Sequence, residues 1–509
     1  MCAAQGGKTN TGLIAACYTL ANDPGPFMWT LPAQDEAKTF SKTRLKNCIE
    51  NCEPVARLLP NGRYGTNILE IEFATAPLIL VGTGSGSKVS GKPIRYAFID
   101  EEKDYESGVV EKILKRVRSK WNSKVWRMST PSQHEDSIHR AFLAGDQRYY
   151  HVPCPKCSKS HAMSHENFGY DANGFVIKSV WYECPTIDCG YRWFDTPEDR
   201  AMLDDSGYWV AHNPDCDPGD RSWTWSAILP RWVEWRSIAL EEINARRALR
   251  IGDKGPLRVL MNETFCKPAE EEDTNPDVSI RHFPYKQRAI DDVKRKEPGE
   301  VSRFLTVDRG DEQGDDHRWI CLRAWFQDGA SRLLYYGKIH TTDNVRAFQL
   351  EAEVEDRFVM QDSGYDKEEV YLESHEYGWL ACKGTGESNF SHPKKDIKGK
   401  TIGYVHKPFS RVQEVMARPR ARGRLILLAS DRLKDIAAYL RSQQGPAWEI
   451  PEDVGPEYLK QLLKETKEEK RNPFTGQIEM RWIARKRNHA WDCEYYQVAM
   501  ALMSGILTG

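Results

Sequence analysis

A chain of 509 residues has room for two or three domains, and 29% charged with 11% aromatic residues excludes a disordered chain. The formal net charge of −2 excludes an unselective cationic coat for nucleic acid, but it leaves room for a local basic groove. No apolar run approaches the roughly 20 residues that cross a bilayer, and the polar, Gly-rich start is unlike a secretory leader, so a cytoplasmic protein with no membrane partner is expected. Thirteen cysteines, an odd number, argue against a disulfide framework. Nine stand singly (Cys2, Cys17, Cys48, Cys52, Cys216, Cys266, Cys321, Cys382 and Cys493) and read as small core residues.

From Ala3 to about Pro131 apolar runs alternate with helical patterns. The runs fall at 27–31, 78–81, 96–99 and 125–128, with helical patterns at 36–50 and 108–119 between them. This is the rhythm of a parallel α/β sheet, whose chemistry sits at the carboxyl ends of its strands. At the start, Gln5-Gly6-Gly7-Lys8-Thr9 reads as the end of a phosphate-binding loop, although Cys2 stands where its first glycine is usual. Backbone N–H groups of such a loop wrap phosphates, the lysine reaches the β and γ phosphates, the threonine hydroxyl faces Mg²⁺, and the following helix offers its positive end. The run Arg95-Tyr-Ala-Phe-Ile-Asp-Glu101 is a strand closing on two acids. There Asp100 suits the water shell of Mg²⁺, and Glu101 suits polarisation of the attacking water. Ser129 and Thr130, before Pro131, close the next strand and suit sensing of the γ-phosphate. ATP is the expected ligand.

Within 150–195 the pattern Cys154-x₂-Cys157 and Cys184-x₄-Cys189, with 26 residues between the pairs, suits a structural Zn²⁺ held by four thiolates. His151 and His161 are spare ligands that read as surface residues. A Trp-rich stretch, 209–235, reads as packing. The segment 268–298 lacks sustained periodicity and reads as a linker. A second α/β unit starts near Arg303.

There Phe304-Leu-Thr-Val-Asp308 and Arg357-Phe-Val-Met-Gln-Asp362 read as strands ending in aspartates, and Asn488-His-Ala-Trp-Asp492 opens an amphipathic helix over 493–507. Three carboxylates from separate elements are the usual means of holding two divalent ions, Mg²⁺ or Mn²⁺, for in-line phosphodiester hydrolysis, so Asp308, Asp362 and Asp492 are the candidate acids. His489 is a further candidate ligand or proton relay. Asp311, Asp315, Asp316 and Glu373 compete for places beside them. Ten Lys or Arg against two acids between 394 and 424, and a second basic group at Arg481, Arg485, Lys486 and Arg487, suit a track for phosphates.

With these residues in view, the chain resembles the large terminase subunit of tailed bacteriophages, in its lambda-like branch. The resemblance runs over essentially the whole chain. It rests on the ordered series Gln5 to Thr9, Asp23-Pro-Gly-Pro26, Phe40-Ser-Lys-Thr-Arg-Leu45, Arg95 to Glu101, Ser129-Thr-Pro131, Asp146-Gln-Arg-Tyr-Tyr150 leading into Val152-Pro-Cys-Pro-Lys-Cys157, Asp362-Ser-Gly-Tyr365 and Asn488 to Asp492. It implies an α/β chain: a P-loop, helicase-like ATPase domain over 1–265 with a zinc-ribbon-like insert at 150–195, a linker at 266–300, and an RNase H-like nuclease domain over 301–509. It also implies a motor that cuts concatemeric double-stranded viral DNA in the host cytoplasm and drives it into a procapsid, acting with a small terminase subunit and a portal protein as a homo-oligomeric ring. Lys8, Thr9 and Asp100 would serve phosphate and Mg²⁺, Glu101 catalysis, Ser129 to Pro131 coupling, and Asp308, Asp362 and Asp492 the nuclease. Two departures stand out. Arg309 and Gly310 follow the first aspartate where relatives often carry an apolar residue and Gln, and relatives carry a segment before the loop, so a truncated ATPase is expected. Two other readings stay open: an ATP-independent metal nuclease on a degenerate ATPase scaffold, and a non-catalytic zinc-bearing DNA-binding or assembly protein.

Overall fold

The computed structural model describes residues 1–60, 67–84, 93–134, 136–269, 281–312, 315–395, 399–419, 421–442, 445–471, 478–483 and 488–508. They form two compact units interleaved along the chain, the first Met1–Ile243, Arg258–Glu272 and Lys470–Glu479, the second Asn244–Leu257, Asp273–Glu469 and Met480–Gly509.

In the first unit the strands β1 (Phe27–Leu31), β2 (Glu70–Glu72), β3 (Pro77–Gly82), β4 (Tyr96–Asp100) and β5 (Lys124–Met128) form a sheet in the order β2-β3-β1-β4-β5. The β1–β3, β1–β4 and β4–β5 pairs are parallel, and β2 is antiparallel at one edge. Strands β1 and β4 are buried at every position, as their mostly apolar runs require, Thr30 and the terminal Asp100 being the polar members. The helix Lys8–Asn22 lays Leu13, Ala16, Cys17 and Leu20 on a core that includes Phe27, Trp29, Phe98 and Met128. Gly12 makes that approach possible, since a Cβ there would lie 2.7 Å from Met128 Sδ. The insert adds the three-stranded sheet Phe168–Asn173, Val176–Glu183 and Arg192–Phe194, beside a second small sheet around Arg148–Pro153.

In the second unit nine strands form one sheet: β6 (His282–Phe283), β7 (Glu300–Glu312), β8 (Asp315–Phe326), β9 (Ser331–Ile339), β10 (Val359–Asp362), β11 (Leu380–Thr385), β12 (Gln413–Arg418), β13 (Ala421–Ala429) and β14 (Trp448–Pro451). Their order is β6-β14-β9-β8-β7-β10-β11-β13-β12. The antiparallel run β7-β8-β9, followed by β10 and β11 added parallel on the other side of β7, is the RNase H-like arrangement. The helix His489–Met503 packs across this sheet. It is buried almost all round, from Ala490 to Ala501, where the sequence suggested an amphipathic helix; the helix Ser430–Arg441 packs against it in the same core. A pair buried on both sides locks it down: Arg323 Nε lies 2.7 Å from Glu494 Oε2, and Gln497 donates from Nε2 to Phe304 O at 2.9 Å. Removing one member of such a pair costs about 3–5 kcal/mol, because it leaves the other charge buried alone.

Candidate functional site

The first site lies at the carboxyl ends of β4 and β5. Register pairs Asp100 with Met128, and Glu101 N donates to Met128 O at 2.8 Å, which brings Asp100, Glu101, Ser129 and Thr130 to one edge. Glu101 holds a left-handed φ of 55°, an uncommon conformation that turns its carboxylate back toward the loop. Lys8 Nζ meets it at 2.8 Å. Burial opposes the Lys8 charge, but Glu101 outweighs it and raises the ammonium above its ordinary value. Burial, then the Glu101 charge, lifts Asp100 to about 6, and a hydrogen bond with Thr9 works the other way. Asp100 Oδ1, Glu101 Oε2 and Thr130 Oγ1 are buried without a hydrogen-bond partner, which is the unsatisfied donor and acceptor set a hydrated cation and a phosphate would complete.

The loop is braced by residues that the sequence reading assigned to packing. Trp225 donates from Nε1 to Gly6 O and Trp232 from Nε1 to Gln5 O, both at 2.9 Å. Gly6 cannot take a side chain, since its Cβ would lie 2.9 Å from Ala3 O, and Gly7 caps the helix at a φ of 90°. The spacing of the tryptophans carries no sign of this task, because their indoles reach main-chain carbonyls, which no motif encodes.

The second site gathers Asp308, Asp362, His489 and Asp492. Asp308 is inside β7 and not at its end, because the hairpin with β8 continues through Arg309↔Arg318 and Gly310↔His317. Alternation places Phe304, Thr306 and Asp308 on the face under the helix His489–Met503. Arg309 takes the other face, where it meets Glu369 Oε2 at 2.8 Å. Glu373 belongs to that opposite face too, accepting from Gln361 Nε2 at 2.6 Å, so it is no competitor for the aspartates. The side chains of Asp311, Asp315 and Asp316, like Lys398, Arg420, Arg485, Lys486 and Arg487, lie outside the described residues.

His489 Nδ1 lies 2.5 Å from Asp308 Oδ2. Tyr496 donates to Asp362 Oδ1 at 3.2 Å and Gly364 N to Asp362 Oδ2 at 2.7 Å. Asn488 Nδ2 donates to Asp492 Oδ2 at 2.8 Å and also to Glu465, while Lys434 Nζ sits 2.6 Å from Glu465 Oε2 and 3.5 Å from Asp492 Oδ1. Burial, then the charge of Asp362, pushes the Asp308 carboxyl well above its ordinary range. Burial also raises Asp492, which Lys434 opposes and Asp308 reinforces. Asp362 is raised by burial, against the hydrogen bonds it accepts. The three carboxylates feel each other's charge, opposed by one buried lysine, but their ligand atoms do not all lie within 4.8 Å of one another, as the four sulfurs of the insert do. Lys434, Glu465 and Tyr496 escaped sequence reading. Only Tyr496 left a trace there, four residues beyond Asp492 on the same helix.

In the insert, the Sγ atoms of Cys154, Cys157, Cys184 and Cys189 lie within 4.8 Å of one another, the one such group among the described residues. The Cys154–Cys189 and Cys157–Cys184 sulfurs are 3.6 and 3.8 Å apart. Four thiolates at about 2.3 Å around a tetrahedral ion would be roughly 3.8 Å apart. Ser158, Asp188 and Gly190, all at positive φ, form the turns. A backbone hydrogen bond at Lys159 is the largest influence lowering the Cys157 thiol to about 6. His161 packs between Tyr182 and Trp193, not on an open surface.

A strand-end acidic pair facing a glycine loop, and an RNase H-like sheet carrying Asp308 and Asp362 under a helix that carries Asp492, are the arrangement of an ATPase followed by a nuclease. The family model for the phage terminase large subunit gpA, ATPase domain, matches residues 1–209, and that for the terminase large subunit gpA, endonuclease domain, matches residues 221–507. The chain therefore belongs to the phage terminase large subunit family, and it carries both the ATPase and the endonuclease of a DNA-packaging motor. No curated protein matches it. Among solved structures it is similar to the large terminase of a thermophilic bacteriophage, with 11% identity over 98% of this chain and 91% of that one at a TM-score of 0.36. It is also similar to the large terminase of bacteriophage HK97, with 11% identity over 75% and 70% of the two chains at 0.30. A Thermus phage large terminase ATPase domain gives 14% identity over 53% of this chain and 86% of that one at 0.30.

Proposed function

We propose that hydrolysis of ATP runs at Gln5 to Thr9, Asp100, Glu101, Ser129 and Thr130, and cleavage of double-stranded DNA at Asp308, Asp362, Asp492 and His489. The observation that supports this most is the pair of acidic centres, each with buried carboxylates left short of partners or crowded by like charge. In the first, Asp100 and the Thr9 hydroxyl would hold hydrated Mg²⁺, Lys8 would exchange Glu101 for the phosphates, and Glu101, so released, would take a proton from the attacking water. In the second, Asp308, Asp362 and Asp492 would hold Mg²⁺ or Mn²⁺, which when bound supplies activation of water and neutralisation of the leaving oxygen. His489 fixes the Asp308 carboxylate, Tyr496 and Gly364 N fix that of Asp362, and Lys434 with Asn488 fixes that of Asp492.

Cys154, Cys157, Cys184 and Cys189 are proposed to hold a structural Zn²⁺ in a ribbon-like insert at 150–195. The ATPase part is assigned to 1–265, the linker to 266–300 and the nuclease part to 301–509. Lys394, Lys395, Lys407, Arg411, Arg418 and Arg424 are exposed on the second unit and suit the DNA backbone. The remaining partners are a small terminase subunit and a portal protein, with the chain acting as a homo-oligomeric ring in the host cytoplasm. Among the described residues no helix is long and apolar enough to cross a membrane.

The test assays one purified chain for DNA-stimulated ATP hydrolysis, for Mg²⁺- or Mn²⁺-dependent nicking, and for bound zinc. This reading expects both activities and one zinc per chain. Nicking without nucleotide binding would favour the ATP-independent nuclease, and neither activity in a folded, zinc-loaded chain would favour the assembly protein.

A further inference from the structure

Three of the nine scattered cysteines are not scattered in space. Cys17, on the inner face of the helix Lys8–Asn22, has its Sγ 3.4 Å from Cys48 Sγ on the helix Lys46–Glu50, and Cys52 lies close enough to hydrogen-bond with the Cys17 thiol. A sulfur pair at this distance stands about 1.4 Å outside a disulfide bond length of about 2.05 Å, a gap that a small shift of the helix Lys46–Glu50 can close. Cys17 is buried, whereas Cys48 and Cys52 are half-exposed at the rim of the same core. A second tie holds the same two layers, Arg44 Nη2 donating to Asn10 Oδ1 at 2.8 Å.

We propose that Cys17 and Cys48 are a modification site, a thiol pair that an external disulfide such as glutathione disulfide oxidises to a bridge. Cys48, the accessible member, loses its proton and attacks the external disulfide, forming a mixed disulfide and releasing one small thiol. Cys17 then gives up its proton and attacks Cys48 Sγ; the mixed bond breaks and the second small thiol leaves. Two protein thiols are oxidised, one external disulfide is reduced to two thiols, and the protons go to the products. The bridge closes a loop across 31 positions and fixes the helix whose first turn carries Lys8 and Thr9 to the helix behind it. In a reducing cytoplasm the pair stays open, and an oxidising shift closes it.

The experiment treats the full chain with glutathione disulfide, alkylates remaining thiols and maps peptides without reduction. The expected result is a peptide linked through Cys17 and Cys48, with a rise in Tm that dithiothreitol reverses. Both should persist in Cys52→Ser and be absent from Cys48→Ser. Recovery of Cys17 and Cys48 both alkylated, or a bridge between Cys48 and Cys52 instead, would overturn the proposal, and the wild-type peptide map decides this even where Cys48→Ser fails to fold.

Discussion

The ammonium of Lys8 rests 2.8 Å from Glu101 Oε1, so the lysine proposed for phosphate is held by the carboxylate proposed as base. Each neutralises the other until nucleotide separates them. Glu101→Gln removes the base and weakens the latch. ATP hydrolysis should fall about 10²–10⁴-fold while nucleotide binding is kept or tightened. Lys8→Ala should lose both, and fluorescent-nucleotide titration beside a phosphate-release assay distinguishes the two.

Trp232 braces the loop from outside. Its ring would stand 3.2 Å from a Cβ on Gly7, and its indole holds Gln5 O. Trp232→Phe keeps most of the cover and loses one hydrogen bond, about 0.5–1.5 kcal/mol, so KM for ATP should rise roughly 2- to 10-fold with stability little changed. Steady-state kinetics with a thermal melt checks it.

Burial and then Glu101 lift Asp100 to about 6. The folded chain keeps this proton where an unfolded chain, with a carboxylate near 4, has lost it. The folded state is therefore penalised progressively as pH rises from about 4 toward 6, and the penalty is constant above that. For nucleotide the proton must leave before Asp100 can face Mg²⁺. Affinity for Mg-ATP should fall about tenfold per pH unit below 6 and be flat above it, as nucleotide titrations across that range would report.

Lys434 carries the compensation for Glu465 and Asp492. Lys434→Met leaves both carboxylates without their buried cation, at a cost of about 3–5 kcal/mol. Because a divalent ion at the aspartates replaces part of the lost charge, Mn²⁺ should raise the Tm of Lys434→Met more than that of the wild type. Equal shifts would detach Lys434 from the metal site.

What could be read in the chain was what linear order encodes. The buried strands β1 and β4 announced themselves as mostly apolar runs, and the arrangement of a glycine loop, a strand-end acidic pair and three later aspartates led to the family that the two domain models establish. Asp308 inside a strand was not legible, because only pairing with β8 tells a strand's middle from its end. Nor was the opposite-face placement of Arg309, which follows from alternation once Asp308 is known to face the helix, or of Glu373, which follows from the packing of the helix Lys367–Tyr377 on that other face. Trp225, Trp232, Lys434 and Glu465 act through contacts between residues distant in the chain, to which local patterns are blind.

The central claim is that two separate acidic centres on this chain perform two separable reactions. Its most direct measurement is a paired assay of ATP hydrolysis and Mn²⁺-dependent DNA nicking in Lys8→Ala and Asp308→Ala, each confirmed folded. Asp308→Ala should abolish nicking and retain ATP hydrolysis, while Lys8→Ala should abolish hydrolysis and retain nicking. Undiminished nicking by folded Asp308→Ala would contradict it.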